Sequence, residues 1–94
     1  MTHLHRDDYP DTLAVLDALL GHRDPERVAD IGYLPDGSGA DVDWERLESS
    51  WLSTTERAAV RVAHAASTVE AHGGGFPDKV KGPIKTMVDH LTTT

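Results

Sequence analysis

Residues 33–43, YLPDGSGADVD, decide how the whole chain is read. Pro, Gly, Ser and Asp crowd this stretch, and such clusters mark turns because each residue type favours tight backbone geometry. It reads as a turn-bearing loop between helical segments. With that reading no strand pattern of useful length remains anywhere in the sequence. The predicted fold is therefore all-α: a compact bundle of four to five short helices with one long central helix, about residues 54–72. A single domain spans residues 1–94, with residues 1–7 and 92–94 as frayed ends.

Helix signals lie on both sides of the loop. Asp8 is a candidate N-cap, Leu13, Leu16, Leu19 and Leu20 recur at helical spacing, and Gly21 supplies a stop. Asp24 then caps a shorter segment with Pro25 at its first position, Val28 and Ile31 facing inward, and Gly32 at its end. Asp43 caps WERLESSW, residues 44–51. Ser53 and Glu56 form a capping box, in which each side chain bonds the other's backbone N–H, and Leu52 can staple onto the first turns. That helix runs until Gly73-Gly74-Gly75. Farther on, Val80, Ile84, Met87, Val88 and Leu91 share a stripe interrupted by Gly82-Pro83. An interior proline costs about 3 kcal/mol, so a turn over 77–81 and a helix from Pro83 to Leu91 are predicted.

Composition removes several functions. The 94 residues include no Cys, which excludes disulfides, thiolate zinc sites and thiol catalysis. No run approaches the ~20 apolar residues of a membrane span, and the polar N-terminus lacks the apolar core of a signal peptide. A cytoplasmic location is expected. The net charge of −7 is uneven: residues 1–50 carry twelve acidic residues against four arginines, while residues 51–94 are close to neutral. The first half therefore repels phosphate backbones and attracts a basic partner.

Leu52, Ser53, Glu56, Arg57 and Val60 resemble the opening of the LuxR-type DNA-binding domain. That resemblance implies a helix-turn-helix whose third, basic helix enters the major groove. The continuation departs from it. Ala63, Ala65, Ala66, Ser67, Thr68, Val69 and Glu70 offer no breaker where a turn belongs, and the segment from Pro83 to Leu91 holds Lys85 and His90 beside Asp89, with no Arg. Phosphate neutralisation needs several basic groups, and few are present. A divergent helix-turn-helix stays as an alternative, and nucleic acid is not the expected partner.

No constellation for chemistry emerges. His64 and His72 lie about 12 Å apart along a helix, too far to share an ion. His3 and His5 could hold copper or nickel only together with the terminal amine. Asp36, Asp41, Asp43 and Glu45 do not follow the EF-hand order, since Ala40 stands where an oxygen ligand belongs and Leu47 where the bidentate Glu belongs. The triple glycine follows a helix and lacks the Gly-Lys-Ser/Thr of a phosphate loop. No enzyme activity, metal or cofactor is predicted.

A protein partner is what remains. Trp44, Leu47 and Trp51 fall on one predicted helix with Tyr33 shortly before, a concentration of aromatic residues in a chain with few. They form either a core lid or a docking patch, since Trp and Tyr dominate interface hot spots. As a patch, Asp41, Asp43, Glu45 and Glu48 would rim it and select a basic partner. A homodimer through Ala59, Val62, Ala63, Ala66 and Val69 on the long helix is a further possibility. The acidic half also suits an inhibitor from a phage or mobile element that mimics nucleic acid.

Overall fold

The computed structural model describes residues 2–92. In chain order the elements are β1 (Thr2–His5), α1 (Pro10–Leu20), α2 (Pro25–Asp30), β2 (Tyr33–Asp36), β3 (Gly39–Val42), α3 (Trp44–Glu48), α4 (Thr54–Glu70) and α5 (Asp78–Thr92). The strands form one antiparallel sheet in the order β1-β3-β2. This is a mixed α/β domain, and the all-α bundle is overturned.

Residues 33–43 are not the loop between helices that their composition predicts. They form a β-hairpin, with Tyr33 opposite Val42 and Asp36 opposite Gly39. The turn signal is confined to the Gly37-Ser38 connection between two strands. The Asp36 carboxylate accepts the Ser38 backbone N–H at 2.7 Å and its hydroxyl at 3.0 Å, an Asx turn that closes the hairpin. Tyr33, Ala40 and Val42 face the core while Leu34 and Asp36 face solvent. That alternation is too short to stand out, and Pro35 and Asp36 are poor strand residues.

The N-terminus completes the sheet. Thr2–His5 pairs along β3 as an edge strand with Leu4 buried beneath it, so the expected fraying of residues 1–7 is replaced by a strand through His5. Glycine at position 39 permits this pairing. A β-carbon there would lie 2.0 Å from the Leu4 carbonyl oxygen. At the other end α5 continues through Thr92, and residues 93–94 lie outside those described.

Local capping follows the sequence closely. Glu56 N–H donates to Ser53 Oγ and Ser53 N–H to Glu56 Oε1, both at 3.2 Å, so the capping box of α4 is complete. Asp24 caps α2 through Glu26 N–H and Asp43 caps α3 through Arg46 N–H. α3 ends at Glu48, short of Trp51, because the hydroxyls of Ser49 and Ser50 donate to the carbonyls of Glu45 and Leu47. These side chains compete with helix propagation.

Helix α1 is capped from a distance. Asp8 does not serve it, and Tyr9 at the N-cap position makes no side-chain bond. Instead Glu70, at the far end of α4 and 1% exposed, accepts Asp11 N–H and Thr12 N–H at 3.0 Å each and the Thr12 hydroxyl at 2.7 Å. Pro10 has no N–H to satisfy, and Leu13 N–H already reaches the Tyr9 carbonyl. Tyr9 N–H donates to the His5 carbonyl at 2.9 Å, so the three amide donors that α1 itself leaves unpartnered are all satisfied. Asp11 answers in return, its carboxylate accepting Phe76 N–H at 2.8 Å. Gly75, at φ +76°, lets the chain pass, since a β-carbon would come within 2.6 Å of Asp11 Oδ2.

Around this junction α1, α4 and α5 pack on one another, and α3 lies against α4. The sheet contributes Leu4, Tyr33, Ala40 and Val42 to the same core as Leu13, Leu16 and Val60. Helix α5 contains Pro83 in its interior, contrary to the predicted turn at 77–81. Its apolar stripe continues across the proline, with Ile84 and Val88 buried, and only one helical hydrogen bond is forgone. No helix among the described residues is long and apolar enough to cross a membrane.

The Glu70 junction predicts a steep mutational response. Replacing Glu70 by Ala strands the buried Thr12 amide and hydroxyl and the part-buried Asp11 amide, and urea denaturation should show a loss of about 3 kcal/mol. Glu70→Gln retains one acceptor oxygen and should lose roughly half as much. Equal stability of all three proteins would contradict the assignment.

Candidate functional site

Trp51 stands out on the surface. It lies in the link between α3 and α4, directly before buried Leu52 and the Ser53 cap, and it is 41% exposed. Two guanidinium groups flank its ring: the Cζ of Arg23 is 5.2 Å from the centroid and that of Arg27 is 4.6 Å. Arg23 is fixed further by donating Nε–H to the Leu19 carbonyl at 3.2 Å and by pairing with Glu56. Thus the residue that completes the capping box of α4 also holds an arginine against the tryptophan.

The acidic rim expected around the tryptophans does not assemble there. Asp41 pairs with His3 at 2.8 Å on the outer face of the sheet. Asp43 is occupied as the α3 cap, and its second oxygen lies 3.9 Å from Arg46. Glu48 stands between Arg61 at 3.8 Å and His64 at 3.6 Å. Glu45 is exposed and forms no salt bridge among the described residues. The groups placed over the Trp51 ring are cationic, so its immediate rim is basic.

The other proposed contacts separate into core and surface. Leu47 and Tyr33 are buried, at 0% and 1% exposure, and neither can meet a partner without unfolding. Trp44 is half-buried and stacks on His64 with centroids 4.7 Å apart and planes within 4°. It joins α3 to α4 while Trp51 points outward, so the two tryptophans share neither helix nor role. The proposed dimer stripe divides as well: Ala59, Ala63 and Ala66 are buried in the molecule's own core, leaving Val62 and Val69 exposed. Close approach of α4 to its neighbours consumes the small residues.

Sequence reasoning missed Arg23 and Arg27 because their partner lies far away in the chain. Spacing four apart across the α2 cap was the available sign, but nothing local points it at Trp51. Helix α4 runs unbroken from Thr54 to Glu70, past the position where a helix-turn-helix would turn. Among the described residues no group of three or more His, Asp or Glu is placed to hold a metal ion. No family profile matches the chain, and no curated protein or solved structure matches it.

Tyr33 carries the clearest electrostatic signature. Burial, reinforced by the hydrogen bond its hydroxyl donates to Asp17, pushes its ionisation well above the ordinary value of 10.0. The native state then keeps its proton where the unfolded chain releases it. The contribution is intact below pH 10 and is lost progressively above it. Stability measured against pH should fall on the alkaline side, and Tyr33→Phe should flatten that fall. An unchanged alkaline slope in the variant would remove Tyr33 as its source.

Proposed function

We propose that this chain is a protein–protein interaction module whose anchor is Trp51. The observation that carries the reading is an exposed indole held by two arginines on a rigid frame. Trp and Arg are the residues most enriched at interface hot spots. Here Arg23 is held by the Leu19 carbonyl and Glu56 before any partner arrives, which lowers the entropic cost of association. Leu52 and the Ser53–Glu56 box fix the backbone underneath.

Charge acts at two ranges. The net −7, concentrated in the first half of the chain, steers a basic partner toward the surface. At the contact itself Arg27 calls for a carboxylate or carbonyl, so the partner is basic as a whole with an acceptor at the point of docking. Rim charges govern the association rate and its salt dependence more than the final affinity.

The test compares tagged wild-type protein and Trp51→Ala in nuclease-treated lysate of the native host. The wild type should retain a partner that Trp51→Ala loses, while circular dichroism stays unchanged. Stability should fall by no more than roughly 1 kcal/mol, since the ring is already partly solvated. If both proteins capture the same set, or if Trp51→Ala unfolds the chain, Trp51 is not a docking anchor.

A further inference from the structure

Pairing of Thr2–His5 along β3 changes the chemistry of its two histidines. Side chains two apart on a strand leave from the same face, whereas on a frayed end they hold no fixed relation. His3 and His5 are therefore neighbours on the solvent face of the sheet, with ring centroids 4.8 Å apart. A zinc ion held tetrahedrally by two imidazoles needs their nitrogens about 3.3 Å apart, given Zn–N bonds of ~2 Å. Rings this close lie within a side-chain rotation of that spacing.

The sheet also supplies the group that orients one ring. Asp41 stands opposite His3 in register, and its Oδ1 lies 2.8 Å from His3 Nδ1. A carboxylate only accepts, so the proton sits on Nδ1 and the neutral ring keeps its lone pair on Nε2. A carboxylate behind a ligating histidine fixes its tautomer and raises its basicity. In the other exposed row His5 stands opposite Gly39, which stands opposite Asp36. Glycine puts no side chain between His5 and Asp36, so this row stays open. Asp36 and Asp41 each add a negative charge to the face, which offsets the charge of a bound dication. Arg6, next along the chain, directs its guanidinium to Asp17.

We propose that His3 and His5 chelate one divalent transition-metal ion, with Asp41 as the carboxylate that positions His3. Two protein ligands make an open, exchangeable site whose remaining positions fall to water. The terminal amine is not needed, because the strand itself brings the rings together. Imidazole suits zinc, copper and nickel, whereas magnesium takes oxygen ligands. The site is separate from Trp51, and its success or failure does not depend on the interaction reading.

Titration of the untagged full chain with zinc, followed by calorimetry and by NMR of the histidine rings, tests this. One ion should bind per chain, and His3 should coordinate through Nε2 while Nδ1 keeps its proton. The rings of His22, His64, His72 and His90 should not shift. His3→Gln and His5→Gln should each abolish saturable binding while circular dichroism stays unchanged, and His72→Gln should bind like the wild type. Asp41→Asn should weaken zinc by about tenfold and leave His3 without its fixed tautomer. A chain lengthened by two residues at its N-terminus should bind as tightly as the original, and magnesium should shift neither ring. Absence of zinc shifts at His3 and His5 in the wild type would overturn the proposal, as would an unaltered affinity in His5→Gln or Asp41→Asn. Loss of binding on lengthening would put the ion on the terminal amine, and an equal response to magnesium would mark general attraction to the acidic half. Either outcome would overturn it as well.

Discussion

A single buried carboxylate organises this molecule. Glu70 sits at the last turn of α4 yet closes the first turn of α1, accepting both amide donors that need a partner. A charged group is costly to bury unless its oxygens are fully used, and here the positive end of a helix and a hydroxyl use them. The consequence reaches in two directions. α1 is fixed against α4, which sets the core of Leu13, Leu16 and Val60, and Asp11 is placed to receive Phe76. That second bond directs the chain from the glycine loop into α5. The three long helices are therefore registered by polar contacts at one corner, and apolar burial fills the space behind them.

What could be read from the sequence is what the chain decides within a few residues. Ser53 with Glu56, Asp24 with Pro25, and Asp43 all cap the helices they were assigned, because a cap needs only its own first turn. What could not be read depends on distant partners. Asp8 looked the natural cap for α1, but Glu70, far along the chain, takes that place. The sheet was invisible because each strand has only four residues and β1 buries only Leu4. Its hairpin carries Pro35 and Asp36, which argue for a loop when judged alone. Burial of Tyr33, Ala40 and Val42 against the helices outweighs those propensities. Pro83 is the same lesson in a helix: packing of Ile84 and Val88 carries α5 through a residue that local reasoning treats as a boundary.

The candidate site was partly legible for a related reason. Concentration of Trp44, Leu47 and Trp51 marked the right region, but their common helix was an assumption of periodicity. Once α3 stops at Glu48, Trp44 turns onto His64 and Trp51 is left on the surface with Arg23 and Arg27. Three of the four acidic residues assigned to its rim are spent elsewhere, on a strand pair, a helix cap and the α3–α4 joint. Charge counted along a chain measures its long-range field, whereas the charge at a contact depends on which elements the fold brings together. The lysines make the converse point, since an acidic protein keeps all three of them on one helix, α5.

The most direct test of this account is hydrogen exchange at two amides, Asp11 and Thr12, measured by NMR under native conditions. First-turn amides of an uncapped helix exchange readily because nothing inside the helix protects them. If Glu70 closes α1 as described, both should be protected as strongly as the amides of the core helices and exchange only on global unfolding. Exchange of Asp11 and Thr12 at rates typical of a frayed helix end, with the core still protected, would contradict the central role of Glu70.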